Sequence, residues 1–223
     1  MQSLDANDAN LTDILLAKYV DDFNQNQYAS DCLDLLIDKC YWTATELKKQ
    51  NKQQQAIGRF ARTENILQLM IDKKTAGNST IGTTATFAAL YFYAAGCRQQ
   101  QEKWEKAIEY LQKIVQEYPS YERACNAQAA IGWCYEALVG KENWPKEAVN
   151  PLIEEAYKAV LAQYPNCDMA GYAAYRLAEM SVEKGDKTSA LMYYKKFLEL
   201  AKQDDIWVRN VKAKLAALEE DSK

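Results

Sequence analysis

The sequence predicts an all-α protein, an α-solenoid of antiparallel helical hairpins with about ten helices. Two observations carry this expectation. First, two helical stretches end in the same dipeptide, Gln116-Glu117-Tyr118-Pro119 and Ala162-Gln163-Tyr164-Pro165, and the residues after each Pro match in turn. Ala124 and Ala170 share one offset from their prolines, as do Ala127 and Ala173, Ile131 and Leu177, and Gly132 and Ala178. Second, 223 residues contain only 8 Gly and 4 Pro. A many-stranded sheet needs frequent turn residues, so this scarcity favours long helices.

Each element follows from apolar spacing. Leu11–Phe23 reads as a helix, with Leu11, Ile14, Leu15 and Tyr19 in phase, and the run at 24–27 breaks it. Tyr28–Lys49 is a second helix, with Cys32, Leu35, Leu36, Cys40 and Leu47 on one stripe. The Gln-rich stretch Gln50–Gln55 is a polar junction before a third helix, which turns Ile57, Phe60, Ala61, Ile66, Leu67, Met70 and Ile71 inward. Ala76–Thr80 reads as a linker, dividing an N-terminal helical unit (1–80) from repeats over 81–223. Thr86–Cys97 and Trp104–Tyr118 then pair, with Trp104, Ala107, Ile108, Leu111 and Ile114 inward. Pro119 stops the second helix, because the residue before a proline disfavours the helical region. A helix over Glu122–Leu138 follows, with Gly140 as its C′ residue. Asn143-Trp144-Pro145 and Asn150-Pro151 both look like a capping residue beside a Pro at the first helical position. That stretch is either one helix with an internal Pro or a short helix before a return helix at Pro151–Gln163. Met169–Lys184 and Lys187–Lys202 form a further hairpin around Gly185-Asp186. Asp205 caps a last helix, Ile206–Glu219, with Val208, Val211, Leu215 and Leu218 on one face.

Composition excludes several functions. With no histidine, the commonest general base, the Ser-His and Cys-His pairs and His-containing zinc sites are all unavailable. No glycine-rich phosphate loop is present, and Asp21-Asp22, Glu154-Glu155 and Asp204-Asp205 read as solvated carboxylates on polar faces or helix ends. No catalytic residue, cofactor or metal is expected. The net charge of −4 is spread without a basic patch, which argues against nucleic acid. No apolar run is long enough to span a bilayer. Of six cysteines (Cys32, Cys40, Cys97, Cys125, Cys134 and Cys167), most sit beside apolar residues; the even count permits disulfides, but simple burial as thiols is the expectation. Reduced cysteines and an N-terminus without signal character point to the cytoplasm. An upstream signal, if one was removed, would instead make this the mature part of a periplasmic protein.

The paired helices resemble tetratricopeptide repeats, two helices in 34 residues with small residues near the hairpin and Pro at the end. Ala95, Gly96, Ala107, Leu111 and Pro119 fit a first unit. Ile131, Gly132, Tyr135 and Pro165 fit a second, and Leu177, Ala178, Gly185, Ala190 and Tyr194 a third. The resemblance covers roughly residues 86–202 and implies a right-handed superhelix. Pro119 and Pro165 stand further apart than one unit. A short extension recurs after each Pro, similar to the long-helix repeats of bacterial envelope assembly proteins, and a longer insertion lies between Gly132 and Pro165. Residues 11–75 match the pattern poorly and are either a separate helical unit or degenerate repeats.

The resemblance implies a protein-interaction scaffold whose concave face is lined by the first helix of each hairpin. Trp133, Glu136, Tyr172, Tyr175, Arg176 and Glu179 are out of phase with the packing positions and are the expected partner-binding residues. The competing reading is that Trp133 and Tyr175 pack on the next hairpin. Trp144 in the insertion is a further candidate, set against a staple onto its own hairpin. Some relatives grip a peptide carboxylate with Lys and Asn. The equivalent places here, Phe92, Gly96, Ala129 and Trp133, lack that clamp. The alternative function is a ligand carrier or accessory subunit of an enzyme complex, with a pocket between the N-terminal unit and the repeats. The apolar stripe of Ile206–Glu219 raises a third expectation, self-association into a homo-oligomer.

Overall fold

The computed structural model describes residues 40–75, 84–201 and 206–220. Among them are nine α-helices: α1 (Trp42–Lys49), α2 (Gln53–Thr75), α3 (Thr84–Gln100), α4 (Trp104–Glu117), α5 (Ala124–Leu138), α6 (Lys146–Gln163), α7 (Asp168–Glu183), α8 (Lys187–Leu200) and α9 (Ile206–Glu220). The described residues hold no strand; one isolated bridge joins Lys141 and Trp144. The helix expected over 11–23, the first part of that over 28–49, the linker at 76–80 and the cap at Asp205 lie outside the described residues. The chain forms two compact units, Met1–Tyr121 and Glu122–Lys223.

In the first unit, α1 packs on α2, α2 on α3 and α3 on α4. Phe60, Leu67, Leu90, Leu111 and Ile114 are fully buried between them. The Tyr41 ring sits 5.4 Å from Phe60 and 5.5 Å from Tyr93, and a methyl group at Gly96 would lie 2.9 Å from its hydroxyl. Glu64, only 8% exposed, is the polar centre of this unit. Arg98 Nε donates to its Oε1 at 2.9 Å, while Gln101 Nε2 and Lys103 Nζ donate to Oε2 at 2.7 and 3.2 Å. The Arg98 guanidinium also lies 3.8 Å from the centre of the Tyr110 ring. Burial alone would push the Glu64 carboxyl up, but these donors outweigh it and hold the group below its ordinary value.

In the second unit, α5–α6 and α7–α8 are hairpins, α6 packs on α7, and α9 closes on α8. The repeated sequence has a repeated geometry. Tyr118 and Tyr164 cap their helices at φ −131°, ψ 50° and φ −131°, ψ 51°. Their N–H groups donate to Ile114 and Val160, and their carbonyls accept from the N–H of Tyr121 and Cys167. All the matched small positions, Ala124, Ala170, Ala127, Ala173 and Ala178, are completely buried. Gly132 shows why smallness matters: a methyl group there would stand 2.6 Å from the Tyr157 ring, inside any real contact. Buried Gln128 ties the same two helices, donating to the Ala156 carbonyl at 3.1 Å.

The insertion resolves into one helix. α6 begins at Lys146 and contains Pro151 in its second turn, and Pro145 is the N-cap instead of the first helical residue. Gly140, at φ +77°, follows the last turn of α5, and Asn143, at φ +70°, completes a tight turn closed by Trp144 N–H to the Lys141 carbonyl. Gly185 (φ +73°) ends α7, and Asp186 caps α8 by accepting from Ser189 N–H at 3.0 Å. Glu154 is not merely solvated: Lys158 binds it at 2.6 Å and Lys184 of α7 reaches it too. The α9 stripe expected to drive self-association faces inward. Val211 is fully buried with Ala174, Ala178, Tyr194 and Phe197, and Val208, Leu215 and Leu218 pack around them.

Cys40, Cys97 and Cys134 are buried thiols outside any disulfide, as expected for small apolar groups. Cys125 and Cys167 correct that expectation: they form a disulfide, with Cα atoms 6.5 Å apart, between the start of α5 and the residue before α7. The sequence hides this pairing because the two cysteines stand 42 positions apart and meet only after the intervening hairpin has folded.

Two helical glycines of the second unit test the packing directly. Gly132→Ala is expected to lower stability by about 1–3 kcal/mol through overpacking. Gly171→Ala, whose nearest neighbour would be Leu200 Cβ at 3.8 Å, is expected to raise it by roughly 0.5–1 kcal/mol through helix propensity. Denaturant unfolding of both variants measures this. Glu64 sets a pH dependence. Because its folded-state pKa is depressed, its contribution is present above the ordinary carboxylate value and is lost as pH falls through the folded value. Urea midpoints measured from pH 7 down to pH 3 should fall more steeply for the wild type than for Glu64→Gln, which is expected to start about 3 kcal/mol lower at pH 7.

Candidate partner-binding face

Four of the expected residues come together on α5 and α7 of the second unit. The Trp133 ring, 45% exposed, meets Tyr172 edge-on at 5.5 Å. Tyr172 in turn meets buried Tyr157 at 5.8 Å. The Tyr157 hydroxyl donates to Glu136 Oε1 at 3.0 Å, and Arg176 Nε donates to the same oxygen at 2.7 Å. The helix spacing explains the grouping: Trp133 and Glu136 are three apart on α5, and Tyr172 and Arg176 four apart on α7, so each pair shares a face.

The electrostatics follow from this geometry. Burial and the Glu136 carboxylate both push the Tyr157 phenol above its ordinary value, so it remains a hydrogen-bond donor. Burial, then the same carboxylate, raises Tyr172. Burial disfavours the charge on Arg176, but its bond to Glu136 more than compensates and its pKa is raised. The pair is partly exposed, with the two side chains 29% and 25% accessible. It therefore presents a fixed charge pattern to solvent more than it stabilises the fold.

Tyr175 and Glu179 continue along α7 but engage other partners. Tyr175 packs edge-on against Phe197 at 6.0 Å and Trp207 at 5.0 Å. Glu179 accepts from the Tyr194 hydroxyl and, at 2.6 and 2.7 Å, from Lys214 Nζ. Burial raises the Glu179 carboxyl, but Lys214 and Tyr194 outweigh it and hold it below its usual value. Trp144 is half-buried with its ring 6.1 Å from Tyr135, packed onto its own hairpin. At the clamp positions, Ala129 is fully buried and Gly96 faces Tyr41, so those two places belong to the interior.

Two residues of this region escape sequence inspection. Tyr157 is a packing residue by its spacing, and only the fold shows its hydroxyl orienting Glu136. Trp207 stands four and eight residues before Val211 and Leu215, so its spacing places it with the α9 apolar stripe and gives no sign of its exposure. It is 48% exposed.

Comparison with known proteins agrees with this architecture. Residues 89–121, which span most of α3, all of α4 and the turn after it, match the tetratricopeptide repeat family. The fold is similar to that in the crystal structure of BtubC (BKLC) from P. vanneervenii, with a TM-score of 0.62 at 11% sequence identity, covering 94% of this chain and 82% of that one. No curated protein matches the sequence. Among its described residues the chain is thus an all-α helical-repeat protein with a tetratricopeptide-like fold, and residues 89–121 match the tetratricopeptide repeat family.

Proposed function

We propose that the chain is a non-catalytic interaction scaffold that binds a segment of a protein partner across Trp133, Glu136, Tyr172, Tyr175, Arg176 and Glu179. The observation that carries this reading is the exposed Trp133 ring, held edge-on by Tyr172 beside the Glu136–Arg176 pair. A large ring already fixed in place loses little freedom when a partner covers it. A flanking ion pair then supplies orientation and partner choice. Trp144 is a further candidate for partner contact, set against the packing of its ring on Tyr135.

Affinity capture with wild-type protein, Trp133→Ala and Arg176→Ala tests the reading. Each variant is expected to weaken capture of the wild-type partner by at least about tenfold, the ordinary cost of truncating a central anchor. The helical CD signal should stay unchanged. Partner capture that survives both changes sinks the proposal, and loss of the CD signal assigns Trp133 to the core.

Of the two locations, the Cys125–Cys167 disulfide supports an oxidising compartment such as the periplasm over the cytoplasm. Alkylation of denatured protein is expected to label two more thiols after reduction than before it. Reduction, or Cys125→Ala with Cys167→Ala, should lower stability by about 2–4 kcal/mol, read from thermal or denaturant melts. Equal labelling with and without reductant would place the protein in a reducing environment.

A further inference from the structure

We propose that an open cavity in the second unit, bounded by the start of α7, the end of α8 and the start of α9, receives an arginine side chain from the partner segment. The proposal rests on the partner-binding reading above and names the chemistry of what is bound. The cavity has a volume of about 790 Å³, enough for a side chain together with flanking peptide. Its wall is aromatic: Tyr172, Tyr175, Phe197 and Trp207 line it. Its charged lining residues are Asp168 and Glu199, both acidic, with no lysine or arginine among the described lining residues.

Ring faces attract cations, and carboxylates at the rim select the same sign of charge. An arginine suits both parts, because its aliphatic stem covers apolar surface and its planar guanidinium stacks on rings while forking to carboxylates. The protein already uses this attraction on one of the rings: Lys214 Nζ lies 5.6 Å from the centre of Tyr175, held there by Glu179. Among the described residues Glu199 is bonded at 3.2 Å to the exposed Lys196 on its own helix, a surface pair that an incoming guanidinium can exchange at little cost. Tyr172 and Tyr175 also belong to the proposed partner face, so the cavity continues that surface.

The test uses the full chain and two synthetic probes, Ac-Gly-Ala-Arg-Ala-Gly-NH2 and the same peptide with citrulline, which keeps the shape of arginine but not its charge. Binding is followed by the NMR signal of the Trp207 indole N–H, assigned from the Trp207→Phe variant. The arginine peptide is expected to shift this signal to saturation, and the citrulline peptide to bind roughly tenfold more weakly or worse, the discrimination expected of a cation–π site with carboxylates. Asp168→Asn with Glu199→Gln should weaken the arginine peptide by a similar factor while leaving the CD signal intact. Equal binding of the two peptides would overturn the cation assignment, as would an unmoved Trp207 signal. The outcome is separable from the scaffold reading, since Trp133 does not line the cavity. Loss of partner capture in Trp133→Ala with no response at Trp207 would retain the scaffold and reject this site.

Discussion

The close approach of α5 and α6 at Gly132 is the constraint on which the second unit depends. With no side chain there, the Tyr157 ring occupies the space a methyl group would need. The ring's position then fixes its hydroxyl against Glu136, and Glu136 fixes Arg176 on the next hairpin. Tyr157 also meets Tyr172, which meets Trp133 edge-on. A single missing side chain in the core thus sets the orientation of an exposed aromatic ring and of an ion pair. The surface group is preorganised by packing, which is more demanding geometrically than any hydrogen bond because van der Waals overlap rises so steeply.

Much of this architecture was legible before the structure. The offsets after Tyr118-Pro119 and Tyr164-Pro165 predict buried positions because a helix stop of fixed geometry sets the phase of whatever follows it. The two caps differ by only one degree in ψ. Trp133, Glu136, Tyr172 and Arg176 were visible for the same reason: residues out of phase with a known packing face must point elsewhere. Phase, however, says nothing about what lies opposite. Glu64 reads as one more charged residue on a long helix, and only the arrival of α3 and the turn after it surrounds it with Arg98, Gln101 and Lys103. The α9 stripe is apolar by its spacing, but spacing does not show that α7 and α8 cover it.

The three hairpins that fit the repeat pattern are built alike but finished differently. The first hairpin, α3–α4, relies on stacked aromatic rings, with Tyr91 near Tyr110 and Tyr118, and Phe87 near Tyr91 and Tyr118. The α5–α6 hairpin relies on the glycine contact and on Gln128. The α7–α8 hairpin uses alanines at the same places, with Tyr194 buried against them. The repeated pattern therefore specifies spacing and direction, while the identity of the large side chain that fills each gap is free to vary. That freedom allows one hairpin to carry an exposed tryptophan and another to wall a cavity.

The Cys125–Cys167 bond has a mechanical consequence. It closes a covalent ring around the entire α5–α6 hairpin, since the chain leaves Cys125 through α5 and returns through α6 to Cys167. A pull on the two ends of this unit bypasses the ring. The bond spans 42 positions, so roughly 140 Å of contour length stays hidden from such a pull. α7, α8 and α9 can be drawn out under load, but the hairpin bearing Trp133 and Glu136 cannot be extended until the sulfurs are reduced.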